Sequence, residues 1–292
     1  MSAAFCAVDP VSGAVHMLAH PFLRDALLAG TAVAVASGLT GYFVALRREI
    51  FAGDALSHVA FTGAVGALAA GLDLRIGLYG ACIVVAVVLA AFEGRNAADD
   101  TVTGIVFAWV LGLGALFLSI YTASHSAGGG TTGVNVLFGS INGLSRGQTI
   151  ESVAVAAGVV ACMLVLARPL LFSSIDLAVA RARGIPVRAI GVAFLVLLGI
   201  TAAEATRVVG ALLLLGLLAA PAGAARRLTC RPFRAIALSA LIAVASVWGG
   251  LALAYAAPRL PPSFTIVAVA TAFYLATIAA DLLRRPRPRV AA

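Results

Sequence analysis

The run TVTGIVFAWVLGLGALFLSIYTA, from Thr101 to Ala123, contains no charged residue. Its length meets the ~20 residues an α-helix needs to cross ~30 Å of hydrocarbon. It lacks the alternation of apolar and polar residues over about ten positions that marks a membrane β-strand. Comparable runs occupy roughly 23–46, 54–71, 75–92, 150–172, 188–204, 207–225, 234–256 and 264–283. The fold class that follows is all-α: a polytopic helical membrane protein with about nine transmembrane helices. Glu204 and Arg207 interrupt one stretch, which leaves eight if it is read as a single long or broken helix. Composition agrees. The 292 residues are 62% apolar and 11% charged, with mean hydropathy +1.07, against about 25% charged in soluble domains. A soluble globular protein and a disordered chain are both excluded.

All 20 basic residues are Arg, and the chain has no Lys. A Walker A site needs a Lys on the nucleotide phosphates, so ATP hydrolysis is not expected from this chain. With the C-terminus placed in the cytoplasm and the spans alternated backwards, fifteen of the Arg residues fall on the inner side and five on the outer. That bias predicts an outer N-terminus and a cytoplasmic C-terminus. The expected domains are an outer N-terminal segment 1–21, one transmembrane permease domain 22–283 and an Arg-rich cytoplasmic tail 284–292. The pI of 10.2 then reflects charge facing anionic lipid headgroups of the bilayer, and no nucleic-acid partner is expected. Cys6, Cys82, Cys162 and Cys230 are far apart and form no C-x-x-C pair, which argues against a disulfide framework. The first 20 residues carry no Arg and no clear cleavage site, unlike a signal peptide.

Asp54 and His58 stand at i and i+4 in the sequence GDALSH, 53–58. On a helix they share a face, and ionisable groups inside a membrane span mark an ion path or a partner by default. Carboxylate and imidazole together suit a divalent transition metal such as Zn²⁺ or Mn²⁺. They are half of a four-coordinate shell, and a homodimer would supply the other half. An isolated D-x-x-x-H pair also reads as a helix cap plus an interhelical hydrogen bond, and from the residues alone that reading stands first. Asp99 and Asp100 read as N-caps, and Glu204 and Arg207 as an i,i+3 ion pair. His16, His20 and His125 read as surface histidines. Two connections are long. Residues 124–148 contain Gly128-Gly129-Gly130 and the short apolar piece Val134 to Gly139. Residues 173–187 hold Asp176 as a helix start and Gly184 then Pro186 as a stop, a pattern for a short cytoplasmic helix. No H-E-x-x-H or G-x-S-x-G signature is present, so an enzyme is not expected.

These pieces, in order, resemble the permeases of ATP-binding-cassette importers for zinc and manganese. The residues that carry the resemblance are Gly53 to His58, Asp100 to Ile105, Leu137-Phe138-Gly139, Ala180 to Ile185, Val209 to Leu213, and Ala220-Pro221-Ala222 with Ala224 to Arg226. Three features depart from the family pattern: Pro261-Pro262-Ser263-Phe264 before the last span, the outer segment 1–21, which has no counterpart, and Glu204. The resemblance implies a pair of these chains working with two ATPase subunits and an extracellular or periplasmic metal-binding protein. It implies that Asp54 and His58 are transient metal ligands, with Ser57, Asp100 and Glu204 as further path or supporting residues. Leu177, Ala180, Arg181, Arg183 and Gly184 become the element coupled to the ATPase. His125, Leu137, Phe138 and Gly139 become an outer docking surface.

The expected function is therefore the permease subunit of an ATP-driven importer of a divalent transition metal, zinc ahead of manganese, by alternating access in a bacterial cytoplasmic (inner) membrane. No permanently bound cofactor is expected; the Zn²⁺ or Mn²⁺ is cargo. The alternatives are an ATP-independent secondary metal transporter or channel, for which inverted repeats would speak, and an importer of an organic metal chelate.

Overall fold

The computed structural model describes residues 21–92, 99–124, 139, 143, 145–211, 214–257 and 259–284. The expected outer segment up to residue 20, the tail from residue 285, and His125, Leu137 and Phe138 lie outside the described residues. The rest forms ten helices: α1 Pro21–Arg47, α2 Ile50–Ala69, α3 Leu74–Phe92, α4 Asp99–Ser124, α5 Arg146–Ile175, α6 Leu177–Ala182, α7 Val187–Val208, α8 Leu214–Leu228, α9 Pro232–Ala256 and α10 Pro262–Arg284. Eight of them are long and apolar enough to cross a membrane. The expected span at 207–225 is instead the shorter helix α8. It has 15 residues, or about 22 Å of rise. Glu204 and Arg207 do not interrupt a helix; they form the last turns of α7, and the break falls after them, at Gly210 with φ +106°.

Cross-helix contacts fix which ends lie together. Arg75 at the start of α3 and Arg207 at the end of α7 both pair with Glu151 at the start of α5. At the opposite end, Arg226 in the last turn of α8 donates to the carbonyl of Ala45 in the last turn of α1, at 2.6 Å. Its neighbour Arg227 pairs with Asp281 near the end of α10, at 3.5 Å. The chain therefore returns from one end of the bundle to the other through the break and α8, so the short helix makes a ninth pass.

Packing reveals a repeat that no sequence period announces. Helix α2 packs against α3 and α4, and α8 packs against α9 and α10. The first helix of each half is exchanged: α1 packs on α8 and α9, and α7 packs on α2 and α3, while α5 joins α1 to α7. Helix α2 starts at the end where α8 finishes, so the two halves run in opposite directions. Helices α1, α2 and α7 are the buried centre, with 72%, 67% and 72% of their spans buried. Helices α4 and α10 are peripheral, at 17% each.

Between helices in lipid there is little hydrophobic drive, so close packing and small residues do the work. A Cβ added at Gly63 of α2 would overlap the carbonyl oxygen of Gly77 of α3, and one added at Gly77 would overlap that of Gly63. On α1, a Cβ at Gly38 would lie 2.7 Å from the Cα of Ala240 on α9. Gly38 also accepts a 2.7 Å hydrogen bond from the Ser239 hydroxyl. Gly63→Ala or Gly77→Ala is expected to lower stability by about 1–3 kcal/mol through overpacking, read as a fall in Tm in detergent. Gly80→Ala, where a Cβ meets open space, is expected to leave Tm level or raise it.

Candidate functional site

Helix α2 opens the site. From Ala52 to Thr62 every residue is buried except Asp54 and His58, which are half-buried. They lie about 6 Å and about 12 Å along the axis from Ile50, on the face where their i,i+4 spacing puts them. The His58 ring meets Phe107 of α4 edge-on, with centroids 5.2 Å apart, and Phe51 also packs on Phe107, at 5.7 Å. Two aromatic rings thus wall the polar pair on the side of α4. Ser57 is turned inward and fully buried; its hydroxyl donates to the carbonyl of Asp54 at 2.6 Å. Asp100 lies in the first turn of α4, at the same end of the bundle as the start of α2. Among the described residues, no group of three or more His, Cys, Asp or Glu comes together. Asp54 and His58 therefore stand as a half-buried pair that no third such group joins among the described residues.

Glu204 occupies a different place. It is 3% exposed and accepts from the Tyr79 hydroxyl of α3. It also pairs with Arg207 at 3.1 Å, as the i,i+3 spacing suggested. Arg207 reaches Ser152 Oγ at 2.5 Å and the Gln148 carbonyl at 3.2 Å, and lies 3.6 Å from Glu151, which pairs with Arg75 at 2.7 Å. Two acids and two arginines alternate, so the network is neutral. It binds α3, α5 and α7 at the end of the bundle away from the start of α2. Linear spacing offered no signal for Tyr79, Glu151, Ser152 or Phe107 as partners, because each comes from another helix. Beside this network Gly139, with φ +74°, lies against the α7–α8 break, where a Cβ would fall 2.5 Å from Val209 C.

The third element is α6, at the end of the bundle where α2 starts. The Asp176 carboxylate accepts from the backbone N–H groups of Ala178 and Val179, at 2.9 and 3.0 Å, and caps its start. Its C-terminus closes as a Schellman motif: Ile185 N donates to Ala180 O and Gly184 N to Arg181 O, with Gly184 at φ +73°. Ala180 is buried, while Val179, Arg181 and Arg183 are exposed. A short capped helix with its basic side chains outward is a rigid knob at one end of the bundle.

Comparison with known proteins gives these elements a setting. The model of the ABC 3 transport family matches residues 19–281. The chain belongs to this family. It is 28% identical over 237 residues to the manganese transport system membrane protein MntC of Halalkalibacterium halodurans, covering 81% of this chain and 80% of that protein. It is 29% identical over 217 residues to the chelated iron transport system membrane protein YfeD of Yersinia pestis, covering 74% and 70%. Among solved structures, PsaBC from Streptococcus pneumoniae in complex with Fab superposes with TM-score 0.80 at 26% identity, over 92% of this chain and 95% of that one. A putative metal-chelate type ABC transporter in an inward-facing conformation shares the fold, with TM-score 0.70 at 15% identity over 96% and 92%.

The chain is thus an ABC-type metal permease, a multi-pass membrane protein and not an enzyme; ATP hydrolysis by partner subunits is typical of the family. The inverted arrangement of its halves, which would have spoken for a secondary transporter, does not separate the two classes; the family match does. Arg207→Leu is expected to strand Glu204 as a buried, uncompensated charge at a cost of about 3–5 kcal/mol, measured as loss of folded protein in detergent. Adding Glu204→Gln to that variant is expected to recover part of the loss.

Proposed function

We propose that the chain is the permease subunit of an importer for a divalent first-row metal, with manganese ahead of iron and zinc, in a bacterial cytoplasmic membrane. The observation that carries this reading is the pair Asp54 and His58, the two residues between 52 and 62 that α2 leaves unburied. A second copy, meeting this face, supplies another carboxylate and another imidazole, and the four together make an O₂N₂ shell. Such donors hold Mn²⁺, Fe²⁺ and Zn²⁺ alike. Imidazole softness put zinc first from the sequence; the manganese and iron systems to which the quoted relatives belong move the order. A shell split between two chains loosens when the chains part, which suits an ion that must leave again. The short helix α6 and its C-terminal turn, with Leu177, Ala180, Arg181, Arg183 and Gly184, would receive the push of two ATPase subunits, Arg181 and Arg183 on its exposed side. An external metal-binding protein would dock at the far end, near Gly139 and the segment with His125, Leu137 and Phe138. Ser57, Asp100 and Glu204 then support the path or the helices around it and do not hold the ion.

Uptake of radioactive manganese, iron and zinc by cells with and without the chain, each metal competed against the others, tests the cargo. Manganese-selective loss is the expected result; a chelated-iron-selective loss would keep the machinery and change the cargo. Asp54→Asn and His58→Leu are each expected to lower uptake roughly tenfold or more, as disturbance of a metal shell does, while the complex still co-purifies with its ATPase. Undiminished uptake in both variants would remove them from the ion path.

A further inference from the structure

The turn between α8 and α9 carries Arg226, Arg227, Arg231 and Arg234 within nine residues, and it lies at the end of the bundle that also holds α6. Arg226 is committed to the Ala45 carbonyl and Arg227 to Asp281 and the Tyr274 ring. Arg231 and Arg234 are exposed, and neither forms an ion pair among the described residues. Arg231 is the N-cap of α9 and Arg234 its third residue, so both stand at the end of a helix where positive charge is disfavoured. Their presence adds nothing to the stability of α9. Leu228 and Phe233, 50% and 57% exposed, flank them.

Where this turn sits relative to lipid follows from α9 itself. Helix α9 packs on α1, α8 and α10, and its outward side runs through Arg234, Leu241, Ala245, Trp248, Ala252 and Tyr255, all exposed. From Arg234 to Tyr255 the rise is about 31 Å, the thickness of the hydrocarbon core. One apolar stripe thus crosses the bilayer, with Tyr255 at one interface and Arg234 at the other. Such a crossing puts Arg234 at headgroup level, beside the exposed Phe233 and Leu228.

We propose that the α8–α9 turn is a binding surface for an anionic phospholipid, whose headgroup phosphate is held between Arg231 and Arg234. The phosphate neutralises two guanidinium groups that the protein leaves unpaired, and Arg suits it through bidentate geometry. The site clasps α8, the short helix of the bundle, against the membrane at its end.

The test is lipid retention. The full complex is purified from membranes, and bound phosphatidylglycerol and cardiolipin are counted by native mass spectrometry, for the wild type, Arg231→Gln, Arg234→Gln and the double variant. Each substitution is expected to lower retention about fivefold, the worth of one basic residue at an anionic surface. Arg146→Gln, exposed at the opposite end, is expected to leave it unchanged. If the double variant fails to assemble, raising the salt concentration on the wild-type complex replaces it, and loss of bound anionic lipid is expected. Equal retention in the variants, or retention on the wild type unmoved by salt, overturns the proposal. Loss of the ATPase subunit with lipid retained also overturns it and assigns the turn to the ATPase.

Discussion

A helix bundle in lipid must be held without help from water, and in this chain the constraint is met by backbone touching backbone. Gly63 on Gly77, Gly38 on Ala240 and Gly41 on Leu218 bring helices together closer than any side chain permits. Each of these contacts decides the rotation of a helix about its own axis. With α2 pinned by Gly63 against α3, the face half a turn round from Gly63 has no choice of direction; Thr62, one turn beyond His58, ties that same side to α4 by donating its hydroxyl to the Val110 carbonyl at 3.0 Å. That face is the one with Asp54 and His58. Placement of the polar pair is thus a by-product of packing several residues away.

The charged groups inside the bundle fall into two kinds. Glu204, Arg207, Glu151 and Arg75 balance one another's charge, with Tyr79 and Ser152 tied in by hydrogen bonds. A charge-balanced network of this sort ties three helices together. Asp54 and His58 are the reverse: no acid or imidazole of their own chain joins them among the described residues. The proposed function uses both, a frame that does not yield and a pair that a second copy would complete.

Much of this was legible in the sequence. Span positions followed from apolar length, and the i,i+4 spacing of Asp54 and His58 showed their common face. Asp176 and Gly184 marked the ends of α6, because helix caps are local chemistry. What could not be seen was anything that depends on a partner helix. Tyr79 and Glu151 carry no local mark of their tie to Glu204 and Arg207, and the opposed directions of α2 and α8 leave no period in the residues. The break after α7 was misplaced for a related reason: Glu204 and Arg207 look like interruptions in an apolar run until their neighbours are known. Gly210, which makes the break, looks like one more glycine among 30.

The exchange of first helices has a consequence for how the molecule is made. Helix α1 finds its partners in α8 and α9, which emerge from the ribosome roughly 170 residues later. At about 5–20 residues per second, that is a wait on the order of ten to thirty seconds. During it α1 can gather mainly α5 and α7, where Thr40 finds Thr201, and the side that meets α8 and α9 stays uncovered. Neither half can finish alone, since each lends its opening helix to the other. Biogenesis is then a step at which a damaged α8 or α9 would be felt: the first helix made would be left with Gly38 and Gly41 uncovered.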